Sequence, residues 1–319
     1  MFRISLDGGV KAVYRGKHIC FDAAYSEGAW PVRCISHAHS DHVDRLGEII
    51  TTRETADLMK HVWCMESWCR TVRYGERVIL DDGLCLKAFN SGHVLGSAMF
   101  NIAGDGFDLT YTGDINTVET LTTQPAEVRK ADTLVIESTY GHPEFVFPPR
   151  HQVYAMIVKW AVECLADEVI PAFKAYSIGK SQELIKLFNT YTTLPVVVGP
   201  TVAKASKIYV ESGLKLDYLQ TGEADGMRLL SSGGCVYIDS QMRRMTTHRR
   251  VKWAVATGWA LRFSHEADAA FPLSSHADYR SLVEYVENAE PKKVYVFHGF
   301  SRSFANTLRR RGFDAVALG

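Results

Sequence analysis

The sequence predicts an α/β fold, and three observations predict it. Residues 1–35 alternate apolar and polar positions around glycine turns. An apolar strand ending at Ile35 then feeds a loop crowded with metal-ligand side chains, followed by a strand and a helix. Between residues 148 and 210 helical and strand patterns alternate, as in a small parallel sheet. A chain of 319 residues can bury a large core, and its length predicts roughly two domains.

Charge narrows the function classes. Lys and Arg number 36, as do Asp and Glu, so any basic field that attracts nucleic acid must be local. Seven cysteines include no Cys-x-x-Cys pair; Cys64 and Cys69 come nearest without the spacing of a zinc knuckle, which points to reduced thiols. No apolar run approaches the ~20 residues that span a bilayer. The expectation is a soluble, cytoplasmic chain with no membrane contact.

Taken in order, Gly8-Gly9 and Arg15-Gly16 mark the turns of the first hairpins. Pro31-Val32-Arg33-Cys34-Ile35 delivers His37-Ala38-His39-Ser40-Asp41-His42, three imidazoles and a carboxylate in six residues. In extended backbone, residues two apart point the same way, so His37 and His39 can grip one cation while Asp41 and His42 turn to a second. Nitrogen and oxygen donors at this density suit zinc, with manganese or iron as alternatives. Ile49-Ile50-Thr51 reads as a buried strand, and Thr52 can cap a helix beginning near Arg53.

Short strands follow between Val78 and Thr112. Two end in a glycine and a ligand, Ser91-Gly92-His93 and Thr112-Gly113-Asp114, where glycine permits close backbone approach. The set predicted from these loops is His37, His39 and His93 on one ion, Asp41 and His42 on the other, and Asp114 bridging both. A shared carboxylate fits two cations ~3.5–4 Å apart, the separation used for in-line displacement at phosphorus. The strand Leu134-Val135-Ile136 ends in Glu137, a further carboxylate at a strand tip.

Beyond residue 148 the pattern predicts helices over 151–165, 181–188 and 202–210, with strands over 168–170 and 195–198. Gly179-Lys180-Ser181 resembles a phosphate loop, but Lys174 stands where that pattern needs glycine. Lys180 at a helix start can still meet a single phosphate; the competing reading is ordinary capping by Ser177 or Ser181. Residues 243–252 form the most basic stretch, and Arg243, Arg244, Arg249 and Arg250 are candidates for backbone-phosphate contact. His276 in Ser274-Ser275-His276-Ala277-Asp278 and His298 in Phe297-His298-Gly299 again sit at the edges of apolar segments.

Residues 37–42 with His93 and Asp114 resemble the metallo-β-lactamase fold, an αββα sandwich with metals along one edge. Glu137 in Glu-Ser-Thr-Tyr-Gly, His276 in Ser-Ser-His-Ala-Asp and His298 in His-Gly resemble the three further motifs of the β-CASP nucleases. Residues 148–268 occupy the place of that family's inserted cap, so the resemblance covers almost the whole chain. It implies a metallo-β-lactamase domain from 1–147 and 269–319 and a β-CASP domain from 148–268. Within the family, Tyr176 to Gln182, Thr257-Gly258-Trp259 and Ser275 to Tyr279 look most like the DNA-ligase-associated exonucleases.

The resemblance further implies that His298 completes the second metal site. It also implies that His276, paired with Glu137, protonates the leaving oxygen after two-metal hydroxide attack on phosphorus, with Asp41 counted among the catalytic residues. Ser275, Lys180 and the four arginines are the expected substrate contacts. The expected activity is exonuclease cleavage of single-stranded DNA with two divalent ions, zinc before manganese, and a functional link to a DNA ligase. The alternative is an RNA-processing endo- or exoribonuclease of the same family. A small-molecule zinc hydrolase and a non-catalytic binding module are the rivals from other classes; the cap and Glu137 speak against the first, the complete ligand set against the second.

Overall fold

The computed structural model describes residues 3–14, 16–23, 32–43, 48–65, 68–80, 83–104, 106–243, 245 and 247–319. They form two compact units, one of Met1–Glu119, Thr123–Val146 and His276–Gly319, the other of Thr120–Thr122 and Phe147–Ser275.

The first unit opens with β1 (Arg3–Leu6), β2 (Val10–Tyr14) and β3 (Lys17–Phe21), antiparallel neighbours as the glycine turns predict. β4 (Val32–Cys34) and β5 (Ile49–Thr51) continue in parallel, helix α1 (Arg53–Trp63) follows, and β6 (Cys69–Thr71) closes a six-stranded sheet. Thr52 does cap α1, accepting from the Thr55 N–H at 3.3 Å.

A second sheet begins with β7 (Val78–Ile79), β8 (Cys85–Asn90), β9 (Ala98–Gly104), β10 (Phe107–Tyr111) and β11 (Thr133–Glu137). The alternation of side chains explains why β9 is buried on both faces: Ala98, Phe100 and Ile102 enter the core between the two sheets, whereas Met99 points to the opposite face. Phe21 stacks on Tyr111 across the sheets at 4.6 Å, and Tyr111 on Phe297 at 5.2 Å.

The second unit contains α2 (Arg150–Ala166), β12 (Val169–Lys174), α3 (Lys180–Tyr191), β13 (Val196–Val198), α4 (Pro200–Glu211), β14 (Leu219–Gln220), α5 (Ala224–Ser232), β15 (Val236–Asp239), β16 (Arg250–Ala256) and β17 (Ala269–Phe271). Its six strands are all parallel, in the order β14-β13-β15-β12-β16-β17. Parallel strands need cover on both faces. Side chains of α2, α3 and α4 supply one face; Leu230 of α5 and Met245 of the β15–β16 connection supply the other. Ala269–Phe271 pairs with β16 and so lies in this unit, where the sequence placed the return to the first domain at 269. Gly179, with φ +91°, precedes α3, and Gln182 reaches back to accept its N–H at 2.8 Å; neither Ser177 nor Ser181 caps this helix.

The chain then returns to the first unit through α6 (Tyr279–Ala289), β18 (Lys293–Phe297), α7 (Ser301–Arg310) and β19 (Ala315–Ala317). β18 and β19 complete the second sheet as β19-β18-β11-β10-β9-β8-β7, and α6 and α7 bury its outer face. Strands β8, β10, β11 and β18 all run the same way, so their following loops emerge at one edge. No helix among the described residues is long and apolar enough to cross a membrane.

Candidate metal centre

The side chains singled out in the sequence meet at that edge. The 37–42 loop leaves β4 and is held from three directions: Thr51 Oγ1 donates to Ile35 O at 2.7 Å, Ala98 N to Ser36 O at 2.8 Å, and the Trp63 indole to Ala38 O at 2.7 Å. His93 follows β8, with its own N–H donated to Ser97 Oγ at 3.1 Å. Asp114 follows β10, one residue after Gly113. At φ +55°, a Cβ on Gly113 would stand 2.6 Å from the Ser36 side chain, so only glycine lets the two ligand loops approach this closely.

His37 Nε2 lies 3.1 Å from His39 Nδ1, which lies 3.2 Å from His93 Nε2. Asp114 Oδ2 is 3.4 Å from His37 Nε2, 3.5 Å from His93 Nε2 and 3.6 Å from His42 Nε2. Donor atoms of His42, Asp114 and His298 also converge within 4.8 Å of one another. His298 is exposed, with a left-handed backbone (φ +57°), and its carbonyl accepts from Ser138 Oγ at 2.5 Å. Asp41 stays exposed, with Oδ2 3.8 Å from His42 Nε2, and belongs to none of these converging groups.

Asp22 is the residue that sequence reasoning missed. It follows β3 and is buried; its Oδ2 accepts from Ser36 Oγ at 2.5 Å and Tyr111 OH at 2.8 Å and lies 3.1 Å from His42 Nδ1, while Oδ1 accepts the Ser36 N–H at 2.6 Å. Because the Ser36 hydroxyl proton goes to Asp22, Ser36 Oγ is left to accept from His37 Nδ1, 2.9 Å away. One carboxylate thereby sets both rings to carry hydrogen on Nδ1 and turns the Nε2 lone pairs of His37 and His42 toward Asp114. The available signal was a strand ending in a carboxylate, the pattern that drew attention to Glu137.

Glu137, at the end of β11, is buried. Its Oε1 accepts from Ile115 N at 3.0 Å and lies 2.8 Å from His276 Nδ1; its Oε2 accepts from Thr139 N at 3.0 Å. Burial alone would raise this carboxyl, yet the His276 ring and the two N–H donors hold it down to about 2, so it is a fixed anion. His276 Nε2 consequently faces the cluster, 3.8 Å from Asp114 Oδ2.

These residues fit a divalent ion. A neutral imidazole carries one N–H, and the proton of His37 is engaged by Ser36. Separations of 3.1–3.2 Å between the His37, His39 and His93 nitrogens approach the roughly 3.3–3.4 Å edge of a tetrahedron built at zinc–nitrogen distances. Asp114 Oδ1 is buried with no hydrogen-bond partner. Burial and the neighbouring imidazoles push His37 well below its usual range. Burial would also lower His42, but Asp114 and Asp22 outweigh it and lift the ring to about 10. The carboxylates thus favour positive charge beside His42, while His37 is held neutral.

The expected substrate contacts are dispersed. Lys180 is buried, its Nζ 4.4 Å from the Tyr176 ring centroid, and Ser275 is buried one residue before His276. Arg243 Nε lies 3.9 Å from Asp239 at the C-terminal end of β15; Arg249 donates to Ser231 O at 3.5 Å and Arg250 to Asp167 O at 3.0 Å, both at the N-terminal end of β16. Residues 240–249 are the return between two parallel strands, so the basic run spans the height of the sheet and makes no single patch. Arg244 lies outside the described residues.

Comparison with known proteins completes the description. Residues 269–318 match the family model described as a Zn-dependent metallo-hydrolase RNA specificity domain. A probable DNA ligase of Opitutus terrae is 35% identical over 89% of this chain, which spans 28% of that relative's length. An RNase J-like protein of Methanocaldococcus jannaschii is 25% identical over 86% of this chain and 83% of its own. A solved structure of a protein of unknown function from Enterococcus faecalis V583 shares the fold, with a TM-score of 0.66 at 14% identity, covering 92% of both chains.

Proposed function

The chain belongs to the β-CASP nucleases of the metallo-β-lactamase fold, and from that membership we propose that it is a metal-dependent phosphodiesterase that shortens single-stranded DNA from an end. The observation that carries the reading is the His276–Glu137 pair, 2.8 Å apart, aimed at the His37–His39–His93–Asp114 cluster. An imidazole held by a buried carboxylate beside the ligand cluster is the arrangement that a proton donor to a leaving oxygen needs.

Two ions, zinc before manganese, are the proposed cofactors, held by His37, His39 and His93 on one side, by Asp41, His42 and His298 on the other, and by Asp114 between them. Bound there, a divalent ion supplies Lewis acidity to the phosphodiester and to the attacking water. The chain's own groups do the rest. Asp22 fixes the tautomers of His37 and His42, and Glu137 holds His276 by Nδ1. From Nε2, His276 gives a proton to the departing 3′ oxygen. Ser275, Lys180 and Arg243 are the proposed substrate contacts; Arg249 and Arg250 sit at the opposite sheet edge and rank behind them.

The DNA reading, with a functional link to a DNA ligase, is supported by the 35% identity to the probable DNA ligase. RNA is the second reading, favoured by the RNA specificity domain match and the RNase J-like relative. His298 would sense an ion and not a sugar, and discrimination at the 2′-hydroxyl needs a group beside the ribose. The test is a competition digest of end-labelled single-stranded DNA and RNA of one sequence. Faster stepwise loss of DNA supports the proposal; faster loss of RNA, or dominant internal cuts, replaces it with RNA processing.

A further inference from the structure

His298 differs from its fellow candidates in how it is held. His37, His42 and His93 are buried, so packing fixes their rings; His298 is exposed, and the direction of its ring depends on its backbone. β18 sends Val294 and Val296 to the face that α6 and α7 cover, and Phe297 to the core between the two sheets. Continued alternation would put residue 298 with the two valines. Instead His298 takes φ +57° and Gly299 φ +54°, which ends the alternation. The His298 donor atom then stands within 4.8 Å of those of His42 and Asp114.

A left-handed backbone is unfavourable for any residue that carries a Cβ. Glycine escapes that cost and histidine does not, so the conformation of His298 needs support from outside the turn. The support comes from the tip of β11. Ser138, fully buried, donates from Oγ to His298 O at 2.5 Å and lies 3.1 Å from Phe297 O, while its own carbonyl accepts from Phe300 N at 2.9 Å. One residue thereby bonds both ends of the turn.

We propose that Ser138 is a positioning residue for metal binding. By bonding the His298 carbonyl it holds that residue left-handed, and so turns the imidazole toward the ion proposed to lie between His42 and Asp114. Glu137 and Ser138 are consecutive, so one strand tip sets both the proposed proton donor and the last proposed ligand. The proposal rests on the two-ion reading of the cluster and adds to it a residue that is not itself a ligand.

The test withdraws zinc from the metal-loaded protein by graded chelator competition and follows two release steps. The step lost in His298→Ala marks the ion that His298 holds. Ser138→Ala should weaken that step about 10–100-fold and leave the other unchanged. In a His298→Ala background, Ser138→Ala should change nothing further, a result that a merely structural residue does not give. An unchanged release profile in Ser138→Ala overturns the proposal. A Ser138→Ala protein that fails to fold, or whose two steps weaken together as its melting temperature drops, also overturns it, because the hydroxyl then serves the fold and not the ligand. Two intact steps in His298→Ala remove the ligand and the proposal with it. Wild type that shows both steps yet leaves bis(4-nitrophenyl) phosphate intact overturns the phosphodiesterase reading, while the zinc steps decide the role of Ser138 independently.

Discussion

At Asp22, one carboxylate oxygen gathers Ser36, Tyr111 and His42, so the orientation of two candidate ligands depends on a residue that touches neither proposed ion. Asp22→Asn should weaken metal binding about 10–100-fold, measured by chelator competition. Asp114→Ala should remove most bound metal; full occupancy by elemental analysis would end its assignment as the shared ligand. His276→Ala should keep its metal and lose roughly 10²–10⁴-fold in turnover on oligonucleotides, but much less on a nitrophenyl diester, whose leaving group needs no proton. Equal losses on both substrates would make His276 a ligand or a packing residue. Every histidine and carboxylate proposed from the sequence except Asp41 joins a converging group, because ligand types at strand ends are visible as letters. Asp22 stood at a strand end, as Glu137 does, but its role and that of Trp63 were not legible, because they are set by contacts to Ser36 and Ala38, and such hydrogen bonds leave no spacing in the sequence.

Among the elements, α2 and α3 are joined by an ion pair that pattern reading overlooks. Arg150 donates twice to Glu183, 2.7 Å each, and Tyr154 OH donates to the same carboxylate, which is buried. Removing one partner strands a buried charge, so Arg150→Ala should cost about 3–5 kcal/mol, read from the denaturation midpoint of the chain. A loss below ~1 kcal/mol would mean that water replaces the guanidinium. The helix itself was legible from its apolar spacing; its partner on α3 was not. Neither serine offered as a cap of α3, Ser177 before it or Ser181 within it, serves: Gly179 takes a left-handed φ, and the capping group is the Gln182 side chain.

For the molecule as a whole, the basic run is the case in which sequence proximity misleads. Residues that read as one patch lie between the C-terminal end of β15 and the N-terminal end of β16, so among the described arginines of the run Arg243 stays with the loops at the C-terminal edge whereas Arg249 and Arg250 do not. Arg243→Ala should reduce the slope of log affinity against log salt by about 0.7 for a single strand, whereas Arg249→Ala with Arg250→Ala should leave it unchanged; the reverse outcome would place the phosphates at the other edge. The insertion of residues 147–275 between Glu137 and His276 also imposes an order in time. Every residue of the His37–His39–His93–Asp114 group has been synthesised once the ribosome passes 114, while His298 is 184 positions later. At ordinary elongation rates that interval is roughly 10–40 s. A nascent chain in that window has neither the proposed proton donor nor the last proposed ligand, so the proposed cleavage awaits the synthesis of residue 298.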